Sequence, residues 1–250
     1  MPRRLGQHYL IRGSVLERIA AALCPIPEES LVIEIGPGKG ALTERLLRRA
    51  ERVIAIEVDP ALVEYLSLKF GGNSGLTVLQ ADVLGVDLAQ WGPAAIGGNL
   101  PYYITGPILE RFAQAAHSAL RGVFLVQKEV AQRITAAPGT RDYGYLSVQM
   151  QITALAELLL VVPPQAFHPP PKVDSAVVRL TPYDRAAQLG ITDLPGFLQF
   201  VGLCFRHKRK TLRNNLAYEY PGVSTLPQSG LRAEQLSVEE FADLYRALVL

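Results

Sequence analysis

Glu34-Ile35-Gly36-Pro37-Gly38-Lys39-Gly40 decides the reading of this chain. It follows a short apolar, β-branched run at 31–35 and precedes a helical pattern at 41–49. That is the strand-to-helix turn at which open α/β sheets bind nucleotides. Glycines let a backbone approach a ligand closely and reach conformations that a Cβ forbids. The spacing here is Gly-x-Gly-x-Gly, not the Gly-x-Gly-x-x-Gly that seats a pyrophosphate, and no Gly-Lys-Ser/Thr follows to make a phosphate-cradling P-loop. The carboxylate of Glu34 would repel a pyrophosphate but suits a cationic amino-acid ligand.

Working outward, residues 52–57, 76–80, 94–98 and 123–127 repeat the apolar pattern of strands buried on both faces. Between them the spacing predicts helices over 60–70, where Asp59 is the N-cap and Pro60 the first helical residue, and over 104–116 and 128–137. Alternation of this kind is the signature of a doubly wound α/β sheet. Residues 145–162 form a long apolar stretch, followed by Pro163, Pro164 and Pro169 to Pro171, and then by strand-like alternation over 173–180. A closing β-hairpin with a rigid proline-rich loop is expected there. From about Tyr183 the strands stop, and 196–215 and 237–250 read as helices. The expected architecture is a Rossmann-like, mostly parallel sheet with a closing antiparallel strand over 1–181, plus a small all-α C-terminal domain over 182–250.

With 49% hydrophobic and 19% charged residues in 250, the chain has ample material for a core and is too apolar to be disordered. A net charge of +2 says little about partners. The least charged stretch, 89–109, is broken by Gly92, Pro93, Gly97, Gly98, Pro101, Gly106 and Pro107, so no bilayer span is expected. Arg3 and Arg4 lead into Gly6, Gln7 and His8 rather than an apolar segment, so a secretory signal is not expected and the default address is cytoplasmic. Cys24 and Cys204 lie far apart with no partner at metal-ligand spacing, which reads as packing; no metal is expected.

The glycine run resembles the S-adenosylmethionine loop of class I methyltransferases. Glu57, ending the second strand, is placed to accept hydrogen bonds from both ribose hydroxyls of an adenosine. Asp82 follows the third strand, where its carboxylate can accept from the adenine amino group while the Val83 N–H meets the ring. Either acid alone is served as well by capping the next helix; together with the glycine loop they favour adenosine.

Asn99-Leu100-Pro101-Tyr102 ends the fourth strand at the edge of the expected cleft. An adenine amine is a poor nucleophile because its lone pair is delocalised into the ring, so methylating it depends on geometry more than on a base. The Asn99 side-chain oxygen and the Leu100 carbonyl can accept both amino hydrogens, favouring a pyramidal nitrogen whose lone pair faces the methyl-sulfonium. Pro101 fixes the backbone and Tyr102 offers an aromatic face to the base. The plain alternative is a structural Asn-Pro turn with a core tyrosine.

Across almost its whole length the chain resembles the KsgA-type small-subunit rRNA adenine N6,N6-dimethyltransferases. The resemblance rests on Gly6-Gln7-His8-Tyr9-Leu10, Glu34 to Gly40, Glu57, Asp82, Asn99 to Tyr102, Gln127-Lys128-Glu129-Val130 and Phe167-His168-Pro169-Pro170-Pro171-Lys172-Val173-Asp174-Ser175-Ala176-Val177. It implies that His8 and Leu10 belong to a cofactor-covering segment, with Gly36, Gly38, Glu57, Asp82, Val83 and Asn99 holding S-adenosylmethionine. It implies too that Phe167 sits across from Tyr102, sandwiching a flipped adenine; the plain alternative is a loop anchor against the core. Leu5 replaces a common aromatic.

Arg206, His207, Lys208, Arg209, Lys210 and Arg213 cluster without an acid until Glu219, and Asn214 and Asn215 follow. Such a run is usually a solvated helix face, but the segment from Phe205 to Asn215 resembles a run of the family's helical domain, here Phe205, Arg209, Lys210, Leu212 and Asn214, which implies RNA backbone contact, and Asn214 and Asn215 are polar groups suited to phosphate and sugar. Arg3, Arg4 and Arg12 extend the strip. The expected activity is transfer of methyl groups to N6 of two adjacent adenines in a 3′-terminal hairpin of 16S rRNA within the immature 30S subunit, by a monomer. The rivals are a 23S rRNA adenine methyltransferase of the resistance type, a noncatalytic RNA-binding assembly factor on the same fold, and a glutamine-amide methyltransferase, which would not explain the basic segment.

Overall fold

Apolar runs and helical stripes alternate along the chain because the central strands bury both faces and crossover helices cover them; residues 76–80, expected to be buried on both faces, are instead an edge strand that is only partly buried. The computed structural model describes residues 8–25 and 29–249. Gly6, Gln7, Leu5, Arg3 and Arg4 of the N-terminal readings, and Leu250 of the last helix, lie outside the described residues. The elements run β1 (Tyr9–Leu10), α1 (Gly13–Leu23), β2 (Glu29–Ile35), α2 (Thr43–Leu46), β3 (Ala50–Glu57), α3 (Pro60–Lys69), β4 (Leu76–Gln80), β5 (Ala94–Asn99), α4 (Thr105–Gln114), β6 (Ala119–Gln127), α5 (Lys128–Ile134), α6 (Tyr145–Gln151), β7 (Ala154–Val162), β8 (Phe167–His168), β9 (Ser175–Pro182), α7 (Arg185–Gln188), α8 (Leu194–Cys204), α9 (Leu212–Leu216) and α10 (Val238–Val249).

The chain divides into two compact units, 1–131 with 155–182, and 132–154 with 183–250. In the first unit seven strands form one sheet in the order β4-β3-β2-β5-β6-β9-β7. β3 pairs in parallel with β2 and β4, and β5 in parallel with β2 and β6, whereas β9 runs antiparallel to β6. β5 is squeezed between its neighbours: a Cβ on Gly98, whose φ is +157°, would lie 2.2 Å from the Ile35 carbonyl oxygen. α1 covers one face of the sheet, where Val15, Leu16, Ile19, Ala20 and Leu23 pack with Val32, Val53, Ala95, Val123 and Val177. α4 covers the other, with Phe112 edge-on to Phe124 at 5.3 Å between ring centres. A two-stranded ribbon, β1 antiparallel to β8, pairs Tyr9 with His168 and Leu10 with Phe167.

The second unit closes around its own core of Tyr143, Phe197, Phe200, Leu212, Leu216 and Phe241. It departs from the sequence reading in three places. Residues 132–154, expected in the first domain, pack with the helical unit, because Val148 of α6 and Ile152 just after it are buried among its aromatics. Only the second half of the apolar stretch 145–162 enters the expected closing hairpin: Tyr145–Gln151 is a helix, and Ala154–Val162 is the strand that lies beside β9. The expected helix over 196–215 is two helices separated by residues 205–211, since Thr211 caps α9 by accepting from the Asn214 N–H.

Candidate active site

The C-terminal ends of β2, β3 and β5, with β1, surround a cavity of about 210 Å³. The expected residues His8, Leu10, Gly36, Gly38, Glu57, Asp82, Val83, Asn99, Leu100, Pro101 and Tyr102 all line it. They meet because parallel strands in register deliver their ends to one edge.

The glycine loop is held from below by Glu57. The Glu57 Oε2 accepts from the Gly38 N–H at 3.1 Å, and Oε1 from the Val58 and Asp59 N–H groups at 3.0 and 3.1 Å. A carboxylate offers about four acceptor sites, so the open one lies on Oε2. The sequence expectation of two ribose hydroxyls on Glu57 is thereby narrowed to one strong acceptor position. Gly38 has φ +57°, and a Cβ there would press on the Tyr9 ring at 3.0 Å. The Lys39 ammonium sits over that ring, 5.1 Å from its centre.

Glu34 lines the cavity wall with 1% of its surface exposed, and its Oε2 accepts from the buried Thr43 hydroxyl at 2.6 Å. Burial pushes its carboxyl up to about 7; the Thr43 hydrogen bond opposes the rise and the Glu57 charge adds to it. Asp82 is exposed, and its Oδ1 caps the following turn by accepting from the Leu84 N–H at 3.0 Å, so it plays the capping part allowed by its sequence while lining the cavity.

At the end of β5 the Asn99 amide nitrogen donates to the His8 carbonyl at 2.9 Å. Its Oδ1 accepts from no group among the described residues. The Leu100 N–H is committed to the Leu125 carbonyl at 3.0 Å, and the Pro101 carbonyl accepts from the Ile104 N–H and the Thr105 hydroxyl. Tyr102 starts the short 3₁₀ turn Tyr102–Ile104; its hydroxyl meets the Ser175 hydroxyl at 2.7 Å and its ring lies 5.7 Å from that of His8. Burial raises the Tyr102 phenol above its ordinary value, against the pull of Ser175, so it stays protonated at neutral pH. The His8 Nδ1 is 2.8 Å from the Pro169 carbonyl.

Phe167 departs from its expected place. Its ring is 3% exposed, packs in the core with Leu10, Leu16 and Ile19, and does not line the cavity. Its pairing with Leu10 across the ribbon turns it toward α1, so in this structure it is the loop anchor rather than one side of a sandwich. Sequence reasoning also passed over Tyr103, which is 60% exposed beside Tyr102 at the cavity wall, and Thr43 and Ser175. Tyr103 carried a local signal, an aromatic next to the Asn-Leu-Pro-Tyr run; the bonds of the other two connect distant segments.

In the second unit, Arg206, Lys208, Arg209, Lys210 and Arg213 are all exposed, the first four on the loop between α8 and α9 rather than on a helix. Arg206 pairs with Glu219 at 2.8 Å and Lys208 donates to the Arg141 carbonyl at 3.0 Å. Among the described residues Arg209, Lys210 and Arg213 have no ion-pair partner. Asn215, read as a candidate sugar or phosphate contact, is 3% exposed; its amide donates to the Cys204 carbonyl and accepts from the His207 N–H, so it clamps the loop instead. Among the described residues no helix is long and apolar enough to cross a membrane and no group of three His, Cys, Asp or Glu side chains is placed to hold a metal ion.

Comparison with known proteins agrees with this geometry. The ribosomal RNA small subunit methyltransferase A of Acidobacterium capsulatum is 44% identical over 98% of this chain and 90% of its own, and that of Legionella pneumophila 40% identical over 97% and 95%. Among solved structures, a dimethyladenosine transferase from Plasmodium falciparum shares the fold with a TM-score of 0.81 at 24% identity, covering 96% of this chain and 97% of that one. The 23S rRNA methyltransferase ErmE superposes with a TM-score of 0.73 at 27% identity over 97% and 100%. The family profile for ribosomal RNA adenine dimethylase matches residues 2–249, and the chain belongs to that family.

Proposed function

We propose that this protein transfers methyl groups from S-adenosylmethionine to N6 of two adjacent adenines in a 3′-terminal hairpin of 16S rRNA, acting as a monomer on the immature 30S subunit in the cytoplasm. The observation that carries the reading is the Asn99 amide: its nitrogen is fixed on the His8 carbonyl, which leaves Oδ1 as an open acceptor beside the Leu100 backbone and the Tyr102 ring. The small-subunit substrate is favoured over the large by the 40 to 44% identity to relatives named for the small subunit, against 27% to ErmE.

The residues present fit the cofactor. The glycine turn brings backbone within reach of an amino-acid moiety, Glu34 offers a buried carboxyl for an ammonium, and the open site on Glu57 Oε2 takes a ribose hydroxyl. Asp82 keeps Oδ2 for an adenine amine, next to the Val83 N–H. His8, just before β1, and Leu10, on it, cover the cavity. When bound, S-adenosylmethionine supplies an electrophilic methyl on its sulfonium.

The chain's own residues orient the nucleophile. Asn99 Oδ1 and the Leu100 carbonyl accept the two amino hydrogens, pyramidalising the nitrogen and turning its lone pair outward from them. Pro101 holds that carbonyl's direction, and the Tyr102 ring supports the base by stacking, worth about 1–3 kcal/mol. The Tyr102 phenol holds its proton, so it is no base; the proton leaves from the alkylated nitrogen, which is acidic, to water. Arg206, Lys208, Arg209, Lys210 and Arg213 of the helical unit contact RNA phosphates.

The test is methyl transfer from labelled cofactor to undermodified 30S particles, to 50S particles and to protein, followed by nucleoside analysis. Label as N6,N6-dimethyladenosine in 16S rRNA is expected; label confined to 23S rRNA or protein overturns the reading.

A further inference from the structure

Ser175 has no part in the chemistry described above, yet among the described residues its hydroxyl is the one group that touches the far end of the Tyr102 side chain through a hydrogen bond. The two oxygens are 2.7 Å apart, and Ser175 is fully buried. Its own position is over-determined. It opens β9 opposite Gln127, the last residue of β6. The preceding residue, Asp174, accepts from the Lys128 N–H at 3.0 Å and pairs with the Lys128 ammonium at 3.3 Å.

Apart from this bond and the His8 ring beside it, Tyr102 is held among the described residues at its root, by the turn that follows Pro101. A tyrosine ring pivoting about its Cα–Cβ bond moves most at the hydroxyl, so a bond there removes more freedom than one near the backbone. We propose that Ser175 is a positioning residue for methyl transfer: it fixes how far the Tyr102 ring swings about its Cα–Cβ bond, and hence where the target adenine stacked on that ring presents its amine. The proposal rests on the placement of Tyr102 against the base given under Proposed function. The second catalytic side chain leads to the same segment, since Asn99 is fixed by the His8 carbonyl and the His8 ring by the Pro169 carbonyl. Residues 169–175 thus anchor both, Tyr102 directly and Asn99 through His8.

The phenol is a handle rather than a reagent in this account, which makes the pair separable by a double-mutant cycle. The variants Ser175→Ala, Tyr102→Phe and the combination remove the same bond from either side or both, and all three keep the ring. Coupled groups give non-additive effects and independent ones add. The experiment measures single-turnover methyl transfer at saturating cofactor and RNA, with cofactor affinity and Tm alongside. We expect each single variant to lose about tenfold in rate, the double variant to lose no more than either single, and cofactor affinity to stay at the parental value. Multiplicative losses, with the double variant about a hundredfold down, overturn the proposal. So does a parental rate in Ser175→Ala with only Tm lowered, which is the mark of a purely structural bond, or a loss that falls on cofactor affinity instead. Parental protein that methylates adenines of another RNA but not of 30S particles overturns the substrate reading alone, and the cycle is then read on the RNA it accepts.

Discussion

The cavity of the first unit and the basic loop of the second treat their polar groups in opposite ways. Around the cavity nearly every functional side chain is already tied: Glu57 to three backbone N–H groups, Glu34 to Thr43, Asn99 to His8, Tyr102 to Ser175. On the loop, Arg209 and Lys210, and on α9 after it Arg213, are exposed and lack ion-pair partners among the described residues. The first arrangement fixes orientation, which a reaction limited by geometry needs; the second supplies exposed, uncommitted charge, which phosphate binding uses without demanding one geometry. Substitutions in the two regions therefore change different observables.

The largest effect is expected at Asn99. Asn99→Ala removes the acceptor that orients the amine, and single-turnover transfer should fall roughly a hundredfold to a thousandfold, as when one preorganised group of a transition-state cradle is lost. Particle binding should stay within a factor of a few, and equal losses in both would erase the distinction between the regions.

Glu34 sharpens the comparison through pH. Its folded carboxyl titrates near 7 against an ordinary 4.5, so between those values the native state holds a proton that the unfolded chain has released. Stability should then fall as pH rises from about 4.5 to about 7. Glu34→Gln, which carries no charge to bury, should gain on the order of 3 kcal/mol over the parent at pH 8 and nothing at pH 4.5. Urea titrations at both pH values decide it; a pH-independent difference would remove the buried charge from the account.

Glu57→Ala should weaken S-adenosylmethionine binding by about 1.5–3 kcal/mol, the worth of one hydrogen bond to a charged acceptor. Glu57→Gln should lose less, since its carbonyl can still accept from the loop. Calorimetric affinities for both variants that match the parent would exclude the ribose contact.

How far these regions could be read in the sequence depends on how local their signals are. The glycine turn, the strands and the strand-end acids were legible because each is a short pattern with its own physical cause. α1 went unread although Val15, Leu16, Ile19, Ala20 and Leu23 make a helical stripe, because Arg12 gives no side-chain cap to mark its start. The break after Cys204 was missed for the opposite reason: apolar residues recur on both sides, and only the Thr211 cap and the Asn215 clamp reveal two helices. Phe167 could not be placed from its own neighbourhood. What turns it inward is a strand pairing with Leu10, more than 150 residues away in sequence, and Ser175–Tyr102 and Asn99–His8 are non-local in the same sense.

The smallest effect is the most direct test of the division of labour. Replacing Arg209 and Lys210 together with Ala, and measuring affinity for undermodified 30S particles across a salt series beside the single-turnover rate at saturating particle, separates binding from chemistry in one experiment. The account predicts a log–log salt slope shallower by about one unit per lost phosphate contact, with the saturated rate and the cofactor affinity unchanged. A parental salt slope, or a saturated rate that falls with the affinity, would contradict it.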